Sequence, residues 1–137
     1  SWVIGHTDRF AAAGVRCPVI NWMSFGGTAD ITMWGYYRYE GFPWSNPDKY
    51  LEHSPLMYVE NVTTPTILMT GVLDLRTPIS QTEEYYEALK VLGVPTKMLR
   101  FNGEYHGTSS KPSNFMRTQL YLMKWFEEYQ KGKPITE

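Results

Sequence analysis

The sequence contains one cysteine, Cys17, so it can form no intrachain disulfide and no cysteine-based zinc site. Positive charge is not in surplus either. A net charge of -1 excludes the basic footprint of a nucleic-acid binder and the polybasic patch of a membrane-surface protein. No run is long and apolar enough to span a bilayer, no signal peptide is evident, and repeats and low-complexity linkers are absent. The composition suits a chain of the cytoplasm, periplasm or exterior. What is abundant is aromatic side chain, 15% of the residues. A hydrophobic fraction of 42% over 137 residues supports one globular domain with a sizeable core.

Strand and helix patterns alternate along the chain. Residues 2–8 read as the end of a helix. The apolar run from Phe10 reads as a strand covered on both faces that ends at Pro18, with Cys17 as a small buried hydrophobe within it. Residues 21–47, rich in glycine and aromatics, read as irregular. Asn46 followed by Pro47 suggests a capped short helix to Glu52. Thr66 to Thr70 is the next strand. Ser80 to Leu92 is a helix with a Ser80/Glu83 capping box, a stop at Gly93 and an apolar stripe of Tyr85, Leu89 and Leu92. Thr96 to Phe101 is a third strand, and a last helix runs from about Ser113 to Lys131 with Phe115, Leu122, Phe126 and Tyr129 inward. This order predicts an α/β fold, parallel strands alternating with helices through right-handed crossovers. Three strands are few for a complete sheet, and Ser1 opens inside an apolar run without an initiator methionine. The reading therefore expects upstream sequence to supply further strands, and expects an unpaired sheet edge that drives oligomerisation or association with that missing part.

Two stretches carry the chemistry. In GVLDLRTP and FNGEYHGTS, Asp74 and His106 each follow a strand, where open parallel sheets place their reactive groups. A serine hydrolase needs a hydroxyl nucleophile, a histidine to take its proton and a carboxylate to orient that histidine. The chain order Asp then His fits the last two members. No G-x-S-x-G occurs, and Ser24 in MSFGG lacks the first glycine of such an elbow. Taken singly, Asp74 reads equally as a turn or cap residue and His106 as surface decoration. Beside Gly103, Glu104 reads as a residue that shapes its loop. His6 and His53 have no ligand spacing with each other or with His106, so they read as structural and no metal or cofactor is expected.

These motifs together resemble the prolyl oligopeptidase family of serine peptidases, especially its acylaminoacyl-peptidase and dipeptidyl-peptidase-like branches. WVIGHTDRFAAA resembles the segment that follows the family's GGSYGG nucleophile elbow. SPLMYVENVTTPTILMTG resembles the approach to the Asp-bearing strand. GVLDLRTPISQ resembles its G-x-x-D-x-R-x-P loop, and GEYHGTSSKPSN its G-E-x-H-G loop. The resemblance spans the whole chain and implies the C-terminal portion of an α/β-hydrolase catalytic domain, with the nucleophile elbow just before Ser1 and the isolated chain inactive. It implies Asp74 as the triad carboxylate and His106 as the general base, with a peptide as the substrate of the full enzyme. It further implies Arg76 as a ligand of a substrate carbonyl, and Val19, Trp22 and Phe25 as the wall of an apolar specificity pocket that Trp34, Tyr37 and Trp44 extend.

Other readings stay open at this level. Arg76 could pair with Glu83 or Glu84, and Trp22 and Phe25 could be plain core. Tyr36, Tyr37 and Tyr39 could form a protein interface. An esterase of the same fold has the same triad order, and the aromatic segment from Trp34 to Trp44 could serve a non-catalytic assembly module.

Overall fold

The computed structural model describes residues 1–130. Three parallel strands, β1 (Ala13–Arg16), β2 (Thr66–Gly71) and β3 (Thr96–Phe101), lie in the order β1-β2-β3. The register pairs Val15 with Leu68 and Leu68 with Met98. Five helices accompany them: α1 (Trp22–Thr28), α2 (Thr32–Tyr37), α3 (Pro47–Glu52), α4 (Ile79–Val91) and α5 (Pro112–Glu128). The expected end of the last helix at Lys131 lies outside the described residues.

All six residues of β2 are buried, as a central strand of a sheet covered on both faces requires. Its alternation divides the core. Leu68 joins Val15, Tyr85 and Leu89 under α4, while Ile67 and Met69 join Phe101 and Trp125 under α5. The sheet is thus a layer between two helices, and its parallel strands send all three C-termini to one edge.

The flanks differ from expectation. β1 is four residues long and only Val15 is buried within it, because it pairs with β2 alone among the described residues. Residues 2–8 contain a single 3-10 turn, Val3–Gly5. The stretch expected to be irregular holds α1 and α2, and distant partners secure the start of α1: the Ser54 hydroxyl accepts from Trp22 N–H at 2.9 Å and Gln81 Oε1 from Ile20 and Asn21 N–H at 2.9 Å each. Asn46 precedes α3 without capping it through its side chain, which donates instead to the Glu40 carbonyl.

α4 follows Pro78 with no side-chain cap, and Glu83 pairs with Arg100 on β3 at 2.8 Å rather than closing a box with Ser80. Gly93 stands at its stop with φ +73, while Leu92 turns out to solvent. On α5 Asn114, Thr118 and Trp125 are buried, Leu122 and, at the C-cap, Tyr129 pack against the same core as expected, and Phe115 and Phe126 are largely exposed. The start of the stripe differs because the first turns of α5 meet a polar loop, described below, before the helix reaches the sheet.

Gly71 ends β2 where a Cβ would collide with the backbone carbonyls of Glu104 and Tyr105, in the loop after β3. Backbone cannot yield as a flexible side chain can. Gly71→Ala is expected to destabilise the fold by about 3 kcal/mol, read as a lower urea midpoint, and to displace the loop that carries His106.

Candidate active site

The three strand ends meet at the sheet's C-terminal edge, each contributing one residue. Cys17 follows β1, Asp74 follows β2 and His106 follows β3. Backbone bonds fasten them: Cys17 N–H donates to the Met69 carbonyl at 2.9 Å and Leu73 N–H to the Glu104 carbonyl at 2.9 Å. Asp74 is 3% exposed. A buried carboxylate is stable only if its oxygens are met by donors, and here they are. Oδ1 accepts from the N–H groups of Arg76 and Thr77, both at 2.9 Å, and Oδ2 lies 3.0 Å from the Thr77 hydroxyl and 3.0 Å from His106 Nδ1. Asp74 is therefore a turn residue and a histidine partner at once, one oxygen serving mainly each task.

This geometry fixes the imidazole. With Nδ1–H donating to Asp74, Nε2 carries the free lone pair, and the side chain of His106 is half exposed. Thr77 completes the arrangement. Its hydroxyl also lies 3.1 Å from the Cys17 carbonyl and 3.3 Å from His106 Nδ1. Sequence reading passed over Thr77, although a hydroxyl three residues after a turn-forming aspartate is the available signal.

The loop that presents His106 is held by a second buried carboxylate. Glu104, 2% exposed, accepts from the Ser110 hydroxyl, from Asn114 Nδ2 at 2.7 Å and from the N–H groups of Ser110 and Lys111 at 3.2 and 3.3 Å. These donors, the Ser110 hydroxyl first, hold its carboxyl well below the usual range, at about 2. Glu104 thus ties the loop to the start of α5 and explains why Asn114 is buried there. Thr118 adds a second tie, bonding Thr108 through its hydroxyl at 3.0 Å.

Cys17 departs from the expected buried hydrophobe. It is only partly buried, sits at φ +42, and its thiol faces Asp74. Burial, with Asp74 adding to it, pushes the thiol's pKa up. Arg76 pairs with neither expected partner. Its guanidinium meets Asp30 at 2.6 Å on the surface, while Glu84 accepts from Asn21.

The three residues expected to wall a pocket separate into two sets. Val19 and Trp22 line a cavity of about 310 Å³ together with Ser1, Trp2, Arg38, Tyr39, His53 and Pro55. Phe25, 1% exposed, lies beneath it in the core and meets the Trp22 ring edge-on at 5.2 Å. Trp34 joins this group with its centroid 6.1 Å from that of Trp22, whereas Trp44 stacks on Phe42 and Tyr37 points to solvent. His6 and His53 bond their own helical turns through Nδ1, to Trp2 and Lys49 carbonyls at 2.8 and 2.7 Å.

Comparison with known proteins places the arrangement in context. A family model described as "Prolyl oligopeptidase family" matches residues 1–133. The chain is 35% identical over 135 residues to an uncharacterized peptidase, YuxL, of Bacillus subtilis (strain 168), covering 94% of this chain and 20% of that protein. It is 38% identical over 128 residues to the acylamino-acid-releasing enzyme of Mus musculus, covering 85% of this chain and 17% of that enzyme. Among solved structures, the Pyrococcus horikoshii acylaminoacyl peptidase superposes with a TM-score of 0.86 at 28% identity, over 99% of this chain and 23% of that one. The chain spans about a fifth of the length of the curated relatives it matches.

Proposed function

The chain belongs to the prolyl oligopeptidase family, and from that premise we propose that Asp74 and His106 are the carboxylate and general base of a Ser-Asp-His triad that hydrolyses peptide bonds in short peptides. The observation that carries the reading is the 3.0 Å contact between His106 Nδ1 and the buried Asp74, across 32 residues of sequence. Evolution of charge on the imidazole is what this geometry supports. His106 Nε2 takes the proton of an attacking serine hydroxyl, the imidazolium is stabilised by Asp74, and the same proton passes to the leaving amine. Water then attacks the acyl-enzyme through the same base.

The nucleophile is assigned to sequence preceding Ser1. The chain has no G-x-S-x-G, and Ser24, Ser54 and Ser110 are engaged with Gln81, Trp22 and Glu104. On this reading residues 1–137 are the C-terminal part of an α/β-hydrolase catalytic domain and are inactive alone. Two features support a covering upstream part: among the described residues β1 pairs on one side only, and α5 exposes Phe115, Met116, Leu120 and Met123. Val19 and Trp22 form the pocket for the side chain beside the scissile bond, with Phe25 as its floor. Arg76, its backbone already fixed by Asp74, reaches toward a substrate carbonyl by leaving Asp30.

The test is hydrolysis of chromogenic aminoacyl and N-acylaminoacyl substrates by the isolated chain and by the longer protein. The reading expects no turnover from the first and turnover from the second. Turnover by the isolated chain that survives His106→Ala contradicts it. A finer test addresses Thr77. Thr77→Val removes the hydroxyl that sits between Asp74 and His106, and is expected to lower kcat about tenfold with KM little changed.

A further inference from the structure

The trio at the sheet edge has a property that the triad reading leaves unused. Cys17 Sγ, a carboxylate oxygen of Asp74 and a ring nitrogen of His106 all lie within 4.8 Å of one another. A thiolate, an imidazole and a carboxylate form a ligand set characteristic of zinc and its softer congener cadmium, which hold such ligands at about 2.0–2.3 Å and so need separations of roughly 3–4 Å between them. The Asp74 to His106 Nδ1 contact already meets that requirement. Cys17 Sγ, within 4.8 Å of both partners, reaches the ion by a side-chain adjustment that its partly buried place after β1 allows. Sequence spacing could not reveal the set, because its members come from three different strand ends.

We propose that Cys17, Asp74 and His106 bind one soft divalent cation of the zinc or cadmium class, and that the bound ion blocks the base. Binding balances simply. The thiol gives its proton to solvent and becomes the thiolate ligand. The imidazole moves its proton from Nδ1 to Nε2 and coordinates through Nδ1, and a carboxylate oxygen of Asp74 exchanges its imidazole hydrogen bond for the metal. Water fills the fourth position, as in sites with three protein ligands. Nε2, now protonated, no longer accepts a proton, so the ion inhibits without touching the nucleophile. The inhibitory half rests on the triad reading. The binding half does not.

The experiment is titration of the chain with cadmium and with zinc, followed by the ultraviolet thiolate-to-cadmium charge-transfer band and by calorimetry. One ion per chain is expected, with the band lost in Cys17→Ser and affinity about tenfold or more weaker in both His106→Ala and Asp74→Asn, while His6→Ala leaves metal affinity unchanged. Circular dichroism identifies any variant that fails to fold, and Asp74→Asn, nearly isosteric, keeps the outcome readable if His106→Ala does so. Undiminished cadmium binding in folded His106→Ala and Asp74→Asn would show a thiol acting alone and overturn the proposal, as would absence of binding to the unaltered chain. Failure of the triad reading has a separate signature: binding intact, with turnover by the longer protein unaffected by His106→Ala.

Discussion

Replacing His106 with alanine in the longer protein is expected to lower kcat/KM for a peptide substrate by on the order of ten-thousand-fold or more, with KM changed little. The size follows from the geometry. Among the described residues His106 is the one imidazole in contact with a buried carboxylate, and the other two, His6 and His53, are committed to backbone carbonyls of their own turns. Among the described residues no second base stands ready to take over. What remains is catalysis by binding and by oxyanion stabilisation, which needs no histidine. Asp74→Asn should fall in the same range for a different reason. An amide NH₂ facing Nδ1 cannot accept a proton, so the imidazole adopts the Nε2–H tautomer and loses its lone pair where the hydroxyl needs it. Steady-state kinetics on the two variants, with folding checked by circular dichroism, measures both effects.

The second large effect concerns stability. Glu104→Leu is expected to cost about 3 kcal/mol, because it strands the donors of Ser110, Lys111 and Asn114 around a buried apolar group. Glu104→Gln should cost less, since an amide oxygen still accepts from some of them. The pH dependence has a definite sign. The carboxyl's pKa falls from 4.5 to about 2 on folding, so the folded state binds its proton less readily than the unfolded state. Its stabilisation is complete above about pH 4.5 and is lost as pH drops toward 2. Urea midpoints measured across that window should fall more steeply for the unaltered chain than for Glu104→Gln. A parallel fall in the two would contradict this role. Since Glu104 joins the His106 loop to α5, the same substitution should also loosen the loop and lower turnover.

Legibility varied with how local the determining physics was. β3 was read to the residue and β2 nearly so, because a buried run lies between Pro65 and Gly71 and a short β-like run follows Pro95, each with a clear boundary. Asp74 and His106 were visible for the same reason: each sits in a short motif directly after its strand. α1 and α2 were missed because their sequences, with paired glycines and crowded aromatics, favour no helix by themselves. Gln81 and Ser54, distant in sequence, satisfy the N–H groups at the start of α1. The Ser80/Glu83 pattern misled because Arg100, a neighbour only after the sheet forms, claims Glu83. Leu122 and Tyr129 of the α5 stripe pack inward as expected, but Phe115 does not, because hydrophobicity alone cannot anticipate that Asn114 and Thr118 are buried by bonding Glu104 and Thr108. Thr77 escaped notice and Cys17 was read as a plain buried hydrophobe, since their surroundings come from strands brought together, not from spacing.

On the proposed function, His106 activates a serine supplied from outside these residues. A serine-directed fluorophosphonate, applied to the longer protein and mapped by peptide mass spectrometry, tests it most directly. One labelled serine is expected, in a G-x-S-x-G shortly before Ser1, with labelling abolished by His106→Ala. A label on a serine within residues 1–137, or labelling undiminished in His106→Ala, would contradict it.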